Sequence, residues 1–343
     1  MNRQFPPEII QLIVEASLNR YDLFRSYHNY SKPRYATLKS YSLLNSTWCR
    51  ASQAELVKWV EIRTEDMAEK FLEVAEQRGG TLRGVKDMFV DSAYFTESTI
   101  AKLLRCAPQV ANLYIIRGSV DIHDLARLQQ LRRLEMIGCF IVGSPSSSLL
   151  RLPHLQRLSL YNCRLNRSAT HFLTPTFLPR LRHLHVPSCA LADSLVQQLE
   201  IITCNEGYED YTVLARAESL LLLPLPLDTD ERLDMLSKLP SLPPFLHIDP
   251  MQYGDGVGSD WDQLLAVALE ALLATTKTGL RVILLNDYGI GDRIDVLVQR
   301  FQERGVRVQL VDKYLEFKGA ILEMEKLRAK KKRAAELKEL GAG

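Results

Sequence analysis

Three segments of the sequence repeat one pattern of apolar residues without a gap, and this repeat limits the possible folds more than any other feature. Residues 131–141 read LRRLEMIGCFI, residues 155–165 read LQRLSLYNCRL, and residues 181–191 read LRHLHVPSCAL. All three fit the pattern L-x-x-L-x-[LVM]-x-x-C-x-[LI]. Its alternating fourth and sixth positions predict a short strand with one buried face. The small, apolar cysteine is expected beneath the turn that follows.

Weaker copies extend the repeat in both directions, because one unit alone cannot bury its apolar face. The residues at the fourth position of successive copies are Met88, Leu113, Leu134, Leu158, Leu184, Leu220, Leu246 and Ile283. Apolar residues at helical spacing between the strands predict helices over 96–106, 192–203, 261–275 and 292–303. Strands that alternate with helices predict the α/β class, with a curved, mostly parallel sheet and outer helices.

The region before the repeats is predicted to be mostly helical and shows no repeat. Pro6 and Pro7 suit the start of a helix. This first helix carries an apolar stripe at helical spacing, formed by Ile9, Leu12, Ile13 and Ala16. We therefore predict a helical domain over 1–63, a repeat domain over 64–312, and a basic helical tail over 313–343.

The composition and charge exclude several classes of partner. The net charge is only +2 with 24% charged residues, so the broad basic field expected of a nucleic-acid-binding protein is absent. No uninterrupted apolar stretch approaches the ~18 residues that a membrane helix needs. No secretory signal is recognised at the start of the chain, so an intracellular location, cytoplasmic or nuclear, is expected. The six cysteines are then expected to be reduced thiols.

Motifs for catalysis, cofactors and metals are missing from the sequence, so we predict a protein that is not an enzyme and needs no cofactor. G-x-S-x-G, H-E-x-x-H and G-K-[ST] do not occur, and the glycine-bearing segments 254–259 and 286–292 lack the dinucleotide fingerprint. Cys139, Cys163 and Cys189 recur at the repeat period rather than as the close pairs typical of zinc sites. We therefore interpret these cysteines as structural.

The strand positions that alternate with the core positions form a candidate binding surface. These residues are predicted on the exposed side of their strands, and they are Phe89, Tyr114, Arg133, Glu135, Arg157, Tyr161, His183, His185 and His247. Repeat proteins bind partners on such extended surfaces, although an ordinary solvated sheet face explains the pattern equally well. His183 and His185 share a face and could form a metal pair, but a solvent-facing pair is the favoured interpretation.

Two segments near the start of the chain carry a resemblance to a known family. Residues 5–18, FPPEIIQLIVEASL, resemble the opening of an F-box, and residues 37–57, TLKSYSLLNSTWCRASQAELV, resemble its second half. Together with leucine-rich repeats downstream, the chain resembles fungal-type F-box proteins. The resemblance implies a helical F-box followed by an irregular leucine-rich-repeat solenoid.

This resemblance implies a role in the ubiquitin conjugation pathway. An F-box docks on the Skp-type adaptor of a Skp–cullin–F-box ubiquitin ligase, and the repeats bind a protein substrate. The residues that match adaptor-facing positions are Phe5, Pro6, Glu8, Ile9, Ile13, Leu43, Leu44 and Trp48. The alternative is a leucine-rich-repeat interaction scaffold without a ubiquitin role, whose first helices only cap the repeats. The basic segment 326–333, KLRAKKKR, resembles a nuclear-localisation signal, with a solvated terminal helix as its alternative.

Overall fold

The chain is an α/β protein whose described strands all pair in parallel, as the repeat pattern predicts. It divides into two compact units, residues 1–181 and residues 182–343. The structure is a computed structural model, and it describes residues 5–18, 31–93, 95–143, 150–166, 169, 172–186, 193–204, 222–226, 242–249, 261–274, 280–286 and 292–311.

The first unit opens with three helices that share a small apolar core. They are α1 (Pro7–Leu18), α2 (Ser31–Ser42) and α3 (Ser46–Leu56). The core consists of Ile10, Val14, Leu18, Leu38 and Ala51, with Tyr41, Trp48 and Leu56 packed against it. The apolar stripe named from the sequence lies outside this core, because Ile9, Leu12 and Ile13 are exposed. Both stripes have helical spacing, so the sequence pattern of α1 cannot tell which one faces α2 and α3.

A parallel sheet with helical crossovers follows these helices in the first unit. Its elements are β1 (Trp59–Ile62), α4 (Glu65–Gln77), β2 (Asp87–Asp91), α5 (Glu97–Cys106), β3 (Asn112–Asp121), α6 (Ile122–Ala126), β4 (Arg133–Val142), β5 (Arg157–Tyr161) and β6 (Arg164–Leu165). The strands from β1 to β5 pair in the order of the sequence, and β6 pairs with the second half of β4. The helix predicted over 96–106 is confirmed as α5.

The repeat is visible in the backbone hydrogen bonds at the entry to each strand. A turn in which an N–H donates to the carbonyl three residues earlier recurs at Val85, Val110, Leu131, Leu155 and Leu181. After each of the first four turns, two successive N–H groups donate to a single carbonyl at the start of the preceding strand or just before it. The accepting residues are Lys58, Lys86, Ala111 and Arg132. The strands β2, β3, β4 and β5 therefore begin in the same way despite their unequal spacing in the sequence.

The fourth and sixth positions of the pattern form two rows of the core, as predicted. Met88, Leu113, Leu134 and Leu158 are in register on neighbouring strands and are buried. The second row consists of Val90, Ile115, Met136 and Leu160, which are also in register and buried. Because parallel strands lie about 4.8 Å apart, each side chain in a row packs directly against the next.

Left-handed residues mark the places where neighbouring strands bend. The backbone φ is 62° at Arg117, 63° at Gly138 and 51° at Asn162, a region that glycine and asparagine adopt at low cost. These three residues are followed in the sequence by Gly118, Cys139 and Cys163, respectively. Both cysteines are buried free thiols. The Cys163 thiol donates to the Met136 carbonyl at 3.3 Å. The predicted burial of these two cysteines is confirmed, but Cys139 lies within β4 rather than beneath a turn. Cys189 lies outside the described residues.

The second unit also has strands that pair in parallel in the order of the sequence. Its elements are β7 (His183–Val186), α7 (Asp193–Val196), β8 (Ile201–Cys204), β9 (Leu222–Pro226), β10 (Phe245–Asp249), α8 (Trp261–Ala274), β11 (Val282–Asn286), α9 (Asp292–Glu303) and β12 (Arg307–Val311). The helices predicted over 261–275 and 292–303 are confirmed. The helix predicted over 192–203 is wrong, because only four residues are helical before a strand begins at Ile201.

None of the helices in the described ranges is long and apolar enough to cross a membrane. Leu220 and the tail over 313–343 lie outside the described residues.

Candidate functional site

The first helix presents an apolar face to solvent. Phe5 is 60% exposed, Leu12 59%, Ile9 41% and Ile13 36%. Phe5 precedes the helix, which begins at Pro7. The spacing of Ile9, Leu12 and Ile13 brings these three residues to one side of the helix, opposite the buried Ile10 stripe. The helix α1 is therefore apolar on two sides, and only one of them is used by the core of its own unit.

The turn between α2 and α3 exposes two further large apolar side chains. Leu43 is 78% exposed and Leu44 60%. Their backbone N–H groups donate to the carbonyls of Ser40 and Tyr41, which closes the end of α2. Asn45 then caps α3, because its side-chain oxygen accepts the N–H groups of residues 47 and 48 at 3.0 and 3.2 Å. The two leucines are thus held between a helix end and a capped helix start.

Seven of the eight residues predicted to face an adaptor are exposed, namely Phe5, Pro6, Glu8, Ile9, Ile13, Leu43 and Leu44. Trp48 is the exception because it is half-buried, and its contact with an adaptor stays a prediction. Its ring is half-buried against the core of the first three helices, with its centroid 5.2 Å from that of Tyr41. Leu12 belongs to the exposed face and was not selected from the family pattern. Its helical spacing from Ile9 and Ile13 was the available signal.

A polar cluster holds α1 against α3 and the start of the sheet. The Gln11 amide donates to Glu15 at 3.0 Å and to Glu55 at 2.7 Å. The Lys58 ammonium contacts the same two carboxylates, at 3.2 Å from Glu15. Hydrogen bonds from Gln11 and Lys58 lower the pKa of Glu15. Burial lowers the pKa of Lys58, but its bonds to Glu55 and Glu15 outweigh burial and raise it.

The sheet of the first unit carries polar and aromatic residues on the face opposite the two core rows. Its central row is in register and consists of Glu61, Phe89, Tyr114, Glu135 and Ser159. Phe89, Tyr114 and Glu135 are buried, so their predicted exposure is wrong. The alternation along each strand correctly predicted that these residues share one face of the sheet. Their exposure was not predicted correctly, because long side chains on strands about 4.8 Å apart shield one another from solvent. The Arg63 guanidinium, for example, lies 5.2 Å from the centre of the Phe89 ring.

The same face carries two arginines on neighbouring strands and the buried carboxyl of Glu135. Arg133 and Arg157 are in register on β4 and β5, with Arg133 exposed and Arg157 half-buried. Burial, together with the positive charge of Arg133, lowers the pKa of Arg157. Burial raises the pKa of Glu135 to about 7, against the opposing effect of Arg157. Burial and the charge of Glu135 raise the pKa of Tyr161, also half-buried, to about 12.

Two acidic residues of β2 on this face are paired with residues of β3. Asp91 accepts two hydrogen bonds from the Arg117 guanidinium, at 2.8 and 2.6 Å. Asp87 accepts a hydrogen bond from the Asn112 amide. None of these pairings was predicted, because Asp91 and Arg117 are 26 residues apart and meet only when β2 and β3 are in register.

The three predicted histidines belong to strands of the second unit. His183 is half-buried and His185 is buried, so the predicted exposure of His185 is wrong. The backbone of His247 lies in β10, in register with Pro224 and Leu284, but its side chain lies outside the described residues. Among the described side chains, no group of three or more potential ligands could hold a metal ion.

Comparison with known proteins adds a distant structural similarity. No protein-family model matches the chain, and no curated protein matches it in sequence. The solved structures include a structural-genomics protein from Bacteroides fragilis that is 13% identical. The similarity covers 81% of this chain and 69% of that chain with a TM-score of 0.35.

Proposed function

We propose that this protein is the substrate-recognition subunit of a Skp–cullin–F-box ubiquitin ligase. Residues 5–62 would act as the F-box, and the repeats would form an irregular leucine-rich-repeat solenoid that binds a protein substrate. The observation that carries the proposal is the exposed apolar face of α1, formed by Ile9, Leu12 and Ile13, together with the exposed Phe5, Leu43 and Leu44.

This exposed apolar surface is unusual because it lies on helices that already have a core. Large apolar side chains clustered in water mark a site for a partner, since their burial stabilises a complex by about 25 cal/mol for each Å² of apolar area. The polar cluster of Gln11, Glu15, Glu55 and Lys58 holds α1 in place, so the face is presented by a pre-organised helix. A partner that offers apolar grooves between helices, as the adaptor of the resemblance does, fits this face.

The role proposed for the sheet is to hold a substrate near an activated ubiquitin. Catalysis then belongs to another subunit, and this chain contributes by raising the effective concentration of the substrate. The repeated strand entries and in-register rows support this role, because they build a rigid surface from stacked units. A residue several strands away from α1 can therefore bind a substrate while α1 binds the adaptor.

Co-purification with a Skp-type adaptor tests the proposal. The wild-type chain is expected to retain the adaptor, and Ile9→Asp with Leu12→Asp is expected to lose it, because two charges would be buried in an apolar interface. The matched control is Val74→Asp, which places a charge at an exposed apolar position of α4, outside the first three helices. Circular dichroism checks that all variants fold.

Two outcomes would overturn the ligase role. The first is a folded wild-type chain that fails to retain adaptor under conditions where a known F-box protein does. The second is a double variant that retains adaptor as well as Val74→Asp does. Either result would leave the alternative of a repeat scaffold without a ubiquitin role, whose first helices only cap the sheet.

A further inference from the structure

The five turns that precede β2, β3, β4, β5 and β7 all lie within the first unit, and they carry basic residues without acidic ones. They are residues 81–86, 106–111, 127–132, 151–156 and 177–181, and none of them contains Asp or Glu. Acidic residues are found at the opposite ends of the strands, where Asp91 ends β2, Glu97 begins α5 and Asp121 ends β3. The two rims of the sheet therefore differ in charge, although the net charge of the chain is only +2.

Three exposed arginines on the third, fourth and fifth of these turns form a basic rim, which consists of Arg132, Arg151 and Arg180. Within the described part of the chain, no hydrogen bond or ion pair engages the side chain of Arg132 or Arg151. The Arg180 guanidinium has one polar contact among the described residues, in which its Nη1 lies 3.3 Å from Nδ1 of His154. Most donors of these three guanidinium groups are therefore available to a partner.

Hydrogen bonds between successive turns hold the basic rim together. The Gln129 amide donates to the Arg151 carbonyl at 3.4 Å, which joins the third turn to the fourth. The Leu152 N–H donates to the Phe177 carbonyl at 2.8 Å, which joins the fourth turn to the fifth. Because neighbouring parallel strands lie about 4.8 Å apart, three successive turns span about 10 Å, and one extended segment of a partner can reach all three arginines. The rim is thus pre-organised before a partner binds.

The chemistry of the basic rim matches a polypeptide with carboxylates better than it matches a nucleic acid. A guanidinium group offers a planar pair of donors that fits a carboxylate. The exposed amides of Gln130 and Gln156 lie on the same turns and can both donate to and accept from a peptide backbone. Phe177 is the only Phe, Tyr or Trp in these three turns, and it is buried, so no such ring is exposed there for a base to stack on.

We propose that the basic rim binds an acidic segment of a protein, whose Asp or Glu side chains pair with Arg132, Arg151 and Arg180. The proposal deepens the proposed function and rests on it, because the acidic segment would belong to the substrate. Each exposed ion pair contributes little by itself, so the affinity comes from several pairs formed at once. Binding is therefore expected to depend on the number of rim arginines and on the salt concentration.

Fluorescence anisotropy of a labelled, blocked oligoglutamate peptide, titrated with the full chain, tests the proposal. Replacing all three rim arginines by Gln is expected to weaken binding about thirtyfold, since each exposed pair contributes about threefold. If the triple variant does not fold, the single variants Arg132→Gln, Arg151→Gln and Arg180→Gln serve instead, each with an expected loss of about threefold. Raising the salt concentration from about 0.05 M to about 0.5 M is expected to weaken wild-type binding about tenfold.

The matched control replaces three exposed cations outside these turns by Gln, namely Lys102 on α5, Arg164 on β6 and Arg300 on α9. It changes the net charge by the same amount as the triple rim variant and should bind oligoglutamate like the wild type. The triple rim variant should also retain the Skp-type adaptor. Peptide binding without adaptor binding would contradict only the ligase role, and adaptor binding without peptide binding would contradict only the rim.

Three results would overturn the basic rim as a binding surface. The first is a wild-type chain that does not bind oligoglutamate, or that binds single-stranded oligothymidylate in its place. The second is equal affinity of the wild type and the triple rim variant for oligoglutamate. The third is an equal loss of affinity in the rim variant and the control, which would assign the attraction to net charge rather than to these arginines.

Discussion

The helices at the start of the chain and the sheet that follows them distribute polarity in opposite ways. In the helices, large apolar side chains such as Leu12 and Leu43 face solvent. In the sheet, Glu135 and Ser159 are buried, and Arg157 is half-buried. Both regions belong to one compact unit, so the contrast does not reflect separate environments. It teaches that hydrophobicity alone does not decide burial.

The physical reason lies in how many neighbours each architecture provides. A side chain in the middle of a parallel sheet has a neighbour about 4.8 Å away on each side, whatever its polarity, so even a charged residue is covered. A short helix packed on two others covers only one of its faces, and the opposite face stays in water. Exposed apolar residues on such a helix then indicate a binding surface for another protein. Buried charged residues in the sheet indicate that they interact with neighbouring polar side chains on the same face.

The largest difference between the two regions is expected from leucine truncation. Leu158→Ala removes a fully buried side chain from a core row and should lower the free energy of unfolding by about 2–5 kcal/mol. The matched change Leu12→Ala removes an exposed side chain and should change it by less than about 0.5 kcal/mol. Urea denaturation followed by circular dichroism measures both. A large loss of stability in Leu12→Ala would show that its face is already used within the chain.

Neutralising the buried carboxyl of the sheet should have the next largest effect, and it depends on pH. The pKa of Glu135 is raised from its ordinary 4.5 to about 7, so its contribution to stability is fully present below pH 4.5 and is lost as the pH rises through 7. Glu135→Gln should therefore gain stability relative to the wild type between pH 4 and pH 8, by at most about 3 kcal/mol.

Thermal unfolding across this pH range measures the gain, with Glu76→Gln as the control at an exposed carboxylate of α4. Glu76→Gln should follow the wild type at every pH. A difference between Glu135→Gln and the wild type that stays constant from pH 5 to pH 8 would contradict the idea that the sheet imposes burial on this carboxyl.

The smallest predicted effect concerns the backbone where the strands bend. Gly118 has φ +96°, and a Cβ there would lie 2.5 Å from the Ser92 Oγ, so Gly118→Ala should lose about 1–3 kcal/mol. Gly138 has φ +63° with its nearest atom 3.8 Å away, so Gly138→Ala should lose about 1 kcal/mol or less. Chemical denaturation compares the two. Equal losses would mean that the left-handed backbone of these residues, rather than the close approach of Ser92, determines the cost of a side chain at Gly118.

Much of the sheet was predictable from the sequence, because its core rows repeat. Leu134 and Leu158 occupy the predicted rows, and Cys139 and Cys163 are buried as predicted. The glycine and asparagine before these cysteines were visible in the pattern, but their left-handed backbone was not inferred. The candidate sites were predicted less completely. Trp48 packs against the core of the first three helices, and the exposed Leu12 was not among the residues predicted to face an adaptor.

The sequence by itself determined the periodic part of this protein: parallel strands, their apolar rows and the buried thiols. Periodicity is a local property, and it specifies which residues share a face. Only the tertiary structure decided which face of α1 is buried, which residues of the sheet are covered, and that Arg133 and Arg157 lie in register on neighbouring strands. These outcomes depend on register and on neighbours that are distant in sequence, and no local pattern records them.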